Sequence, residues 1–322
     1  MLKRYAAFLL CAAVISVGFS ACGGEKMMNS GAASQPVSEV SEESGTSDEK
    51  LKASVSFDAM KELTEAVGKD KVEITVINPG VEGCAADFEP KAQDLISLST
   101  AKIFVYNGLG MESWAKEAVQ SANNPNLAAV EASKGAQAIK NTDPGEIEEH
   151  GQENPHLWMS LKGAEIEAKN IKDGLVKADP SNREYYEKNC GDFVSKLESL
   201  YAEYDKKFKS VSKKSFVTGH AAFGYLCRDF GLEQNSVEDV YAEGEPSAQQ
   251  LAELVKYCKT NKVTTVFVEQ MASPEISKTL AKEVGAKTET IYTLESTEDG
   301  KPYLERMESN LSKIYESLGG GA

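Results

Sequence analysis

The sequence predicts an α/β protein of two lobes, each a mostly parallel sheet flanked by helices, joined by one long rigid helix. Three observations predict it. From Phe57 onward, short β-branched runs alternate with amphipathic ones, the mark of strands covered by helices. The alternation occurs as two sets. Between the sets, the pattern from about Asn182 to Phe208 stays helical with no internal proline, which is long for a globular helix. A helix of roughly 25 residues spans about 38 Å at 1.5 Å per residue, enough to cross the molecule.

In the first set, "FDAMKELTEAVG" is amphipathic, with Gly68 placed to stop it. "VEITVIN" alternates as a strand. "KAQDLISLSTA" reads as a helix, "KIFVYNG" as a strand, "MESWAKEAVQSA" as a helix and "LAAVEAS" as a strand. Asp143 to Pro155 is a polar, acidic loop, and "LKGAEIEAKNIKDGLVKAD" is the helix before the long one. In the second set "SFVTG" is a strand and "HAAFGYLCRDFG" a helix. A strand near "NSVEDVY" precedes "PSAQQLAELVKYCKTN", where Ser247 and Gln250 fit a capping box. "VTTVFVE", "PEISKTLAKEVG" and "TETIYT" read strand, helix, strand, and "YLERMESNLSKIYESL" closes the chain as a helix.

The chain of 322 residues carries a formal charge of −15 and 41% apolar residues, a globular composition whose phosphate-repelling charge argues against nucleic-acid binding. Its start, "MLKRYAAFLLCAAVISVGFSAC", has a short basic head and an apolar run too short for a mature membrane span, the pattern of an export signal. The small residues Ser20 and Ala21 before Cys22 resemble a bacterial lipobox, with Phe19 in place of the usual Leu. The implied product begins at a lipidated Cys22. The Ser-, Gly- and Glu-rich stretch that follows cannot bury enough surface to fold and reads as a tether. The expected organisation is a signal over 1–21, a lipidated tether over 22–54, an N-terminal lobe over 55–180, the linking helix over 181–209 and a C-terminal lobe over 210–322. The protein is expected outside the cytoplasmic membrane, held to its outer face through Cys22. Cys190, Cys227 and Cys258 fall in helical patterns and read as buried apolar residues, with a Cys227–Cys258 bridge left open.

Only three histidines are present. His220 stands where a strand gives way to a helix, the edge at which open α/β sheets bind ligands. His156 stands just before a helix, and His150 lies in the acidic loop. Each alone is an ordinary structural or surface residue. Several motifs in order make them more. "AKIFVYNGLGMESW", "DFEPKAQDLISLS", "NPHLWMSLKGAE" and "FVTGHAAFGYLCRDFGL" resemble segments of the zinc- and manganese-binding lipoproteins of bacterial metal ABC importers. The likeness runs from about Phe57 to Leu318.

That resemblance implies a metal held in the cleft between the lobes. It implies His156, His220 and Glu295, in "IYTLESTEDG", as ligands. Glu269, at the end of "VFVE", reads either as the partner of a ligand histidine or as a surface or capping acid. The family's first loop carries a histidine within a "PGxDPHxFEP" pattern. Here the loop reads "PGVEGCAADFEP" and has none. Counted from Pro79, Cys84 takes its place. Counted from Pro90, Ala86 does, with Asp87 the neighbouring candidate. His150 is a further accessory donor. A thiolate with two imidazoles and a carboxylate favours zinc, while Asp87 in its stead admits manganese or iron(II).

The function implied is capture of one divalent ion and its delivery to an ABC permease and its ATPase. Capture needs no turnover, and no hydrolase spacing such as HExxH appears, so no enzyme is expected. A monomer is expected. The competing readings are a surface adhesin with a vestigial site and a binder of a chelated or organic ligand on the same fold.

Overall fold

A computed structural model describes residues 49–80, 88–142, 144–149, 151–240, 242, 246–269, 274–297 and 299–320. Within Asp48–Ala322, a single compact unit, two four-stranded sheets are built entirely of parallel pairs. The first contains β1 (Leu51–Val55), β2 (Val72–Val76), β3 (Ile103–Tyr106) and β4 (Ala128–Glu131), in the order β2-β1-β3-β4. Helices α1 (Asp58–Gly68), α2 (Ala92–Thr100), α3 (Ala115–Ser121), α4 (Pro144–Glu149) and α5 (Leu161–Ala178) accompany it. The second contains β5 (Ser215–Thr218), β6 (Glu233–Ser236), β7 (Thr265–Val268) and β8 (Lys287–Thr290), in the order β6-β5-β7-β8. Its helices are α7 (Gly224–Phe230), α8 (Ala248–Asn261), α9 (Pro274–Val284) and α10 (Tyr303–Ser317). In each sheet the chain leaves the first strand for one side and returns to the other. The resulting switch points fall between β1 and β3 and between β5 and β7, where crevices open at the carboxyl ends.

The long helix α6 (Arg183–Ser210) has 28 residues, about 42 Å at 1.5 Å per residue. At one end Asn189 donates to the carbonyl of Val67 at 3.0 Å, and at the other Phe208 packs against Phe230 of α7. One helix therefore touches both sets of elements. A continuous core joins them too, from Leu51 and Val55 through Trp158 and Phe216 to Tyr303 and Leu318. A rod packed at both ends resists large lobe rotation, because its side chains fill a close-packed interior.

Several local expectations are corrected. The stretch read as tether includes Leu51 to Ser54, which belong to β1. The apolar residues Leu51, Ala53 and Val55 are buried beside Ser54, and a five-residue strand gives too short a pattern to stand out from polar flanks. Gly68 does not stop α1 through a left-handed turn. It is helical at φ −80°, Lys69 takes the positive φ, and a Cβ at Gly68 would strike the Val72 side chain at 2.5 Å. The acidic loop contains the short helix α4. The strand expected near "NSVEDVY" ends at Ser236, and α7 begins at Gly224, leaving His220 to Phe223 as a connecting turn. The capping box of Ser247 and Gln250 forms at α8 as expected. Cys190, Cys227 and Cys258 are buried free thiols, Cys227 and Cys258 in separate core clusters, so no bridge joins them. No helix among the described residues is long and apolar enough to cross a membrane.

Candidate metal centre

His156 is set by a turn that the sequence Asn-Pro-His dictates. The Asn154 side-chain oxygen accepts from the His156 backbone N–H at 3.0 Å and faces the ring Nδ1 at 3.1 Å. An atom that accepts the backbone N–H is the amide oxygen, so the ring presents a protonated Nδ1 to it and leaves Nε2 as a bare lone pair. The loop is pinned from outside: Asn107 donates to Pro155 O at 2.9 Å and Tyr225 to Asn154 O at 2.7 Å. Ser160 then caps α5 by accepting from Gly163 N at 3.0 Å.

His220 stands two residues beyond β5. Its carbonyl accepts from Thr218 and Gln234, both at 2.7 Å. Because β5 and β7 are neighbours, Glu269, one residue past β7, meets it from the side. One Glu269 oxygen accepts from Gly219 N at 3.1 Å, and the other accepts from His220 N at 3.2 Å and binds the ring Nδ1. The Nε2 edge of His220 is thereby turned toward Glu295.

Glu295 follows β8 in a turn where Leu294 takes a φ of +59°. Its Oε1 lies 3.8 Å from His156 Nε2 and 3.6 Å from His220 Nε2, and the two imidazole centroids are 5.3 Å apart. One donor atom from each of the three lies within 4.8 Å of the others, the only such His/Cys/Asp/Glu group among the described residues. A tetrahedral zinc with bonds of ~2.05 Å holds its donors ~3.3 Å apart, so both carboxylate–imidazole separations lie within a few tenths of an ångström of those around an ion.

All three residues are buried. His156 Nε2 and Glu295 Oε1 have no hydrogen-bond partner. Unsatisfied buried polar atoms are costly and rare unless something is meant to meet them. Burial, together with the neighbouring His220, holds His156 well below the usual imidazole range, so it stays neutral and able to donate a lone pair. Burial works the same way on His220, but Glu269, by charge and hydrogen bond, and then Glu295 outweigh it, and its pKa lies well above 6.5.

The structure thus brings together His156, His220, Glu269 and Glu295. Cys84, Asp87 and His150 lie outside the described residues, as do Cys22 and the signal. The first loop does reach the site: at Gly80, φ +69°, a Cβ would meet Ser296 Cβ at 2.6 Å, so this chain turns against the Glu295 segment just before residue 81. Sequence reasoning missed Asn154, although an Asx residue two before a histidine is a turn signal. It also missed Trp158, which donates to Thr293 O at 2.8 Å, and the buried pair of Arg306 with Asp58 at 2.7 Å, which join segments far apart in the chain.

Comparison with known proteins adds the following. The family model described as zinc-uptake complex component A, periplasmic (ZnuA), matches residues 54–317. A putative metal-binding protein of Treponema pallidum is 42% identical over 281 residues, covering 84% of this chain and 88% of its own. The high-affinity zinc uptake system protein ZnuA of Bacillus subtilis is 37% identical over 287 residues, with 84% and 88% covered. Among solved structures, the laminin-binding protein of Streptococcus agalactiae superposes with a TM-score of 0.76 at 33% identity over 84% of this chain and 100% of its own. It is described as bifunctional, with adhesin and metal-transporting activity.

Proposed function

We propose, because this chain belongs to the family of periplasmic zinc-uptake complex component A, that it captures a zinc ion outside the cytoplasmic membrane and hands it to the permease of an ATP-driven importer. The observation that carries this reading is the meeting of three buried donors, two of them with unpartnered atoms, at one point. Two imidazole nitrogens and one carboxylate oxygen suit zinc, which accepts mixed nitrogen and oxygen ligands in a tetrahedron. Asn154 and Glu269 fix the ring edges, as outer partners of metal-bound histidines do.

The fourth ligand is assigned to the first loop, as Cys84 or Asp87, with His150 as the accessory alternative. The distances of 3.8 Å to His156 Nε2 and 3.6 Å to His220 Nε2 support Glu295 as the late carboxylate. Capture needs only closure around the ion and reopening, so the protein carries out no turnover. A lipidated Cys22 would tether it, as a monomer, to the outer face of the membrane, with the folded part starting at the strand that includes Leu51. A vestigial site, with adhesion as the sole role, has no reason to keep these donors converged.

The test is isothermal titration of zinc and manganese into the metal-free protein, beside Cys84→Ser and Asp87→Ala forms. Tight one-to-one zinc binding, weakened by one of the two substitutions, is expected. Absence of tight binding by the unsubstituted protein would overturn the reading.

A further inference from the structure

The segment that carries Glu295 belongs to the second set, where Asn310 of α10 holds both backbone groups of Tyr292, but it is also tied to the first set on either side of Glu295. Two residues before it, Thr293 O accepts the Trp158 indole N–H at 2.8 Å. One residue after it, Ser296 O accepts from Arg306 at 3.1 Å, and the same guanidinium binds Asp58 at 2.7 Å. Two residues after it, Thr297 donates to the other Asp58 oxygen at 2.9 Å. Asp58 opens α1, at the carboxyl end of β1. Both Asp58 and Arg306 are about 1% exposed. The start of α10 is fixed to the same side: Tyr303 N–H donates to Glu62 at 3.0 Å, and the Tyr303 hydroxyl to Trp158 O at 2.6 Å. His220, by contrast, is held by Glu269 and Gln234 of the second sheet.

We propose that Asp58 and Arg306 are positioning residues that hold Glu295 at the separation from His156 that capture of the ion requires. The proposal rests on the zinc-capture reading. Neither residue touches the ion. Their guanidinium and carboxylate satisfy the turn just after Glu295, at Ser296 and Thr297, while Trp158 holds it at Thr293 just before, and together these contacts fix the Glu295 oxygen relative to His156.

The test uses the mature full-length chain with zinc and cobalt(II) as probes, in Asp58→Asn, Arg306→Lys and Thr297→Val forms. Zinc affinity is read by competition with a chelator. The visible cobalt spectrum reads ligand geometry, and melting of the metal-free protein reads stability. Asp58→Asn is expected to lower zinc affinity about ten-fold or more, the scale of outer-partner losses, and to shift the cobalt bands. Thr297→Val, a smaller change that keeps the ion pair, is expected to shift the bands in the same sense with a smaller loss of affinity. Arg306→Lys retains the charge and is expected to lose less affinity than Asp58→Asn. If the variants melt lower but keep zinc affinity and cobalt spectrum, the pair is only structural and the proposal fails. Should Asp58→Asn not fold, the unaltered cobalt spectrum of Thr297→Val would overturn it instead. Failure of the unsubstituted chain to bind zinc would sink the capture reading itself.

Discussion

Glu269 binds the Nδ1 edge of His220 while also accepting that residue's backbone N–H. One carboxylate therefore sets the ring's orientation, its tautomer and its basicity together. The pairing depends on topology alone, since the two residues are 49 apart in sequence and meet because β5 and β7 are adjacent.

Replacing Glu269 with Gln keeps the shape and removes the charge. Zinc affinity is expected to fall about ten- to hundred-fold, the usual cost of losing a carboxylate behind a metal-bound histidine. Chelator competition measures it. An unchanged affinity would mean that the backbone contacts alone orient His220.

A second pair of carboxyls lies in the interior away from the centre. Burial raises Glu112 to about 7, against hydrogen bonds that lower it, and raises Glu167 to about 8 with help from the Glu112 charge. Neither oxygen of Glu167 has a hydrogen-bond partner. The folded state keeps protons that an unfolded chain, with carboxyls near 4.5, releases. The contribution of these groups to stability is therefore complete below about pH 4.5 and is lost as pH rises through about 7 to 8. Glu167→Gln removes one of these titrations. At about pH 9 the metal-free variant should be more stable than the unsubstituted protein by more than about 1 kcal/mol. Thermal melting from about pH 5 to 9 decides it, and parallel curves for the two proteins would refute it.

Much of this architecture is legible in the chain because its signals are local. The periodicity of α1, α5 and α8 and the capping box at Ser247 depend on residues within a few positions of one another. The same holds for the turn that presents His156, once Asn154 is read as its cause. Other features have no local signal. β1 is five residues with polar flanks, and only its pairing with both β2 and β3 makes it an inner strand. The bond between Asp58 and Arg306 spans 248 positions, and neither residue shows any sign of it in its own helix. His156, His220 and Glu295 stand out as a set through a resemblance of ordered motifs, whereas the tie of Glu295 to α1 requires the folded chain.

Gly163 supplies the last test, of how finely the His156 turn is set. It lies in the first turn of α5, and a Cβ there would overlap the carbonyl oxygen of Leu157 and press on the Leu157 side chain at 2.9 Å. The obstruction is backbone, so it cannot be relieved by a rotamer change. The helix start must move away from the turn that includes Leu157, whose neighbours are His156 and Trp158. Gly163→Ala would favour a helix by propensity alone, by ~1 kcal/mol. The overlap is expected to reverse that sign and destabilise the protein by about 1–3 kcal/mol, the range for overpacking a filled interior. Zinc affinity should fall with it, because Trp158 holds Thr293 and His156 is a donor. A variant that melts higher and binds zinc as tightly would show that the turn has slack, and that its present geometry is not what sets the centre.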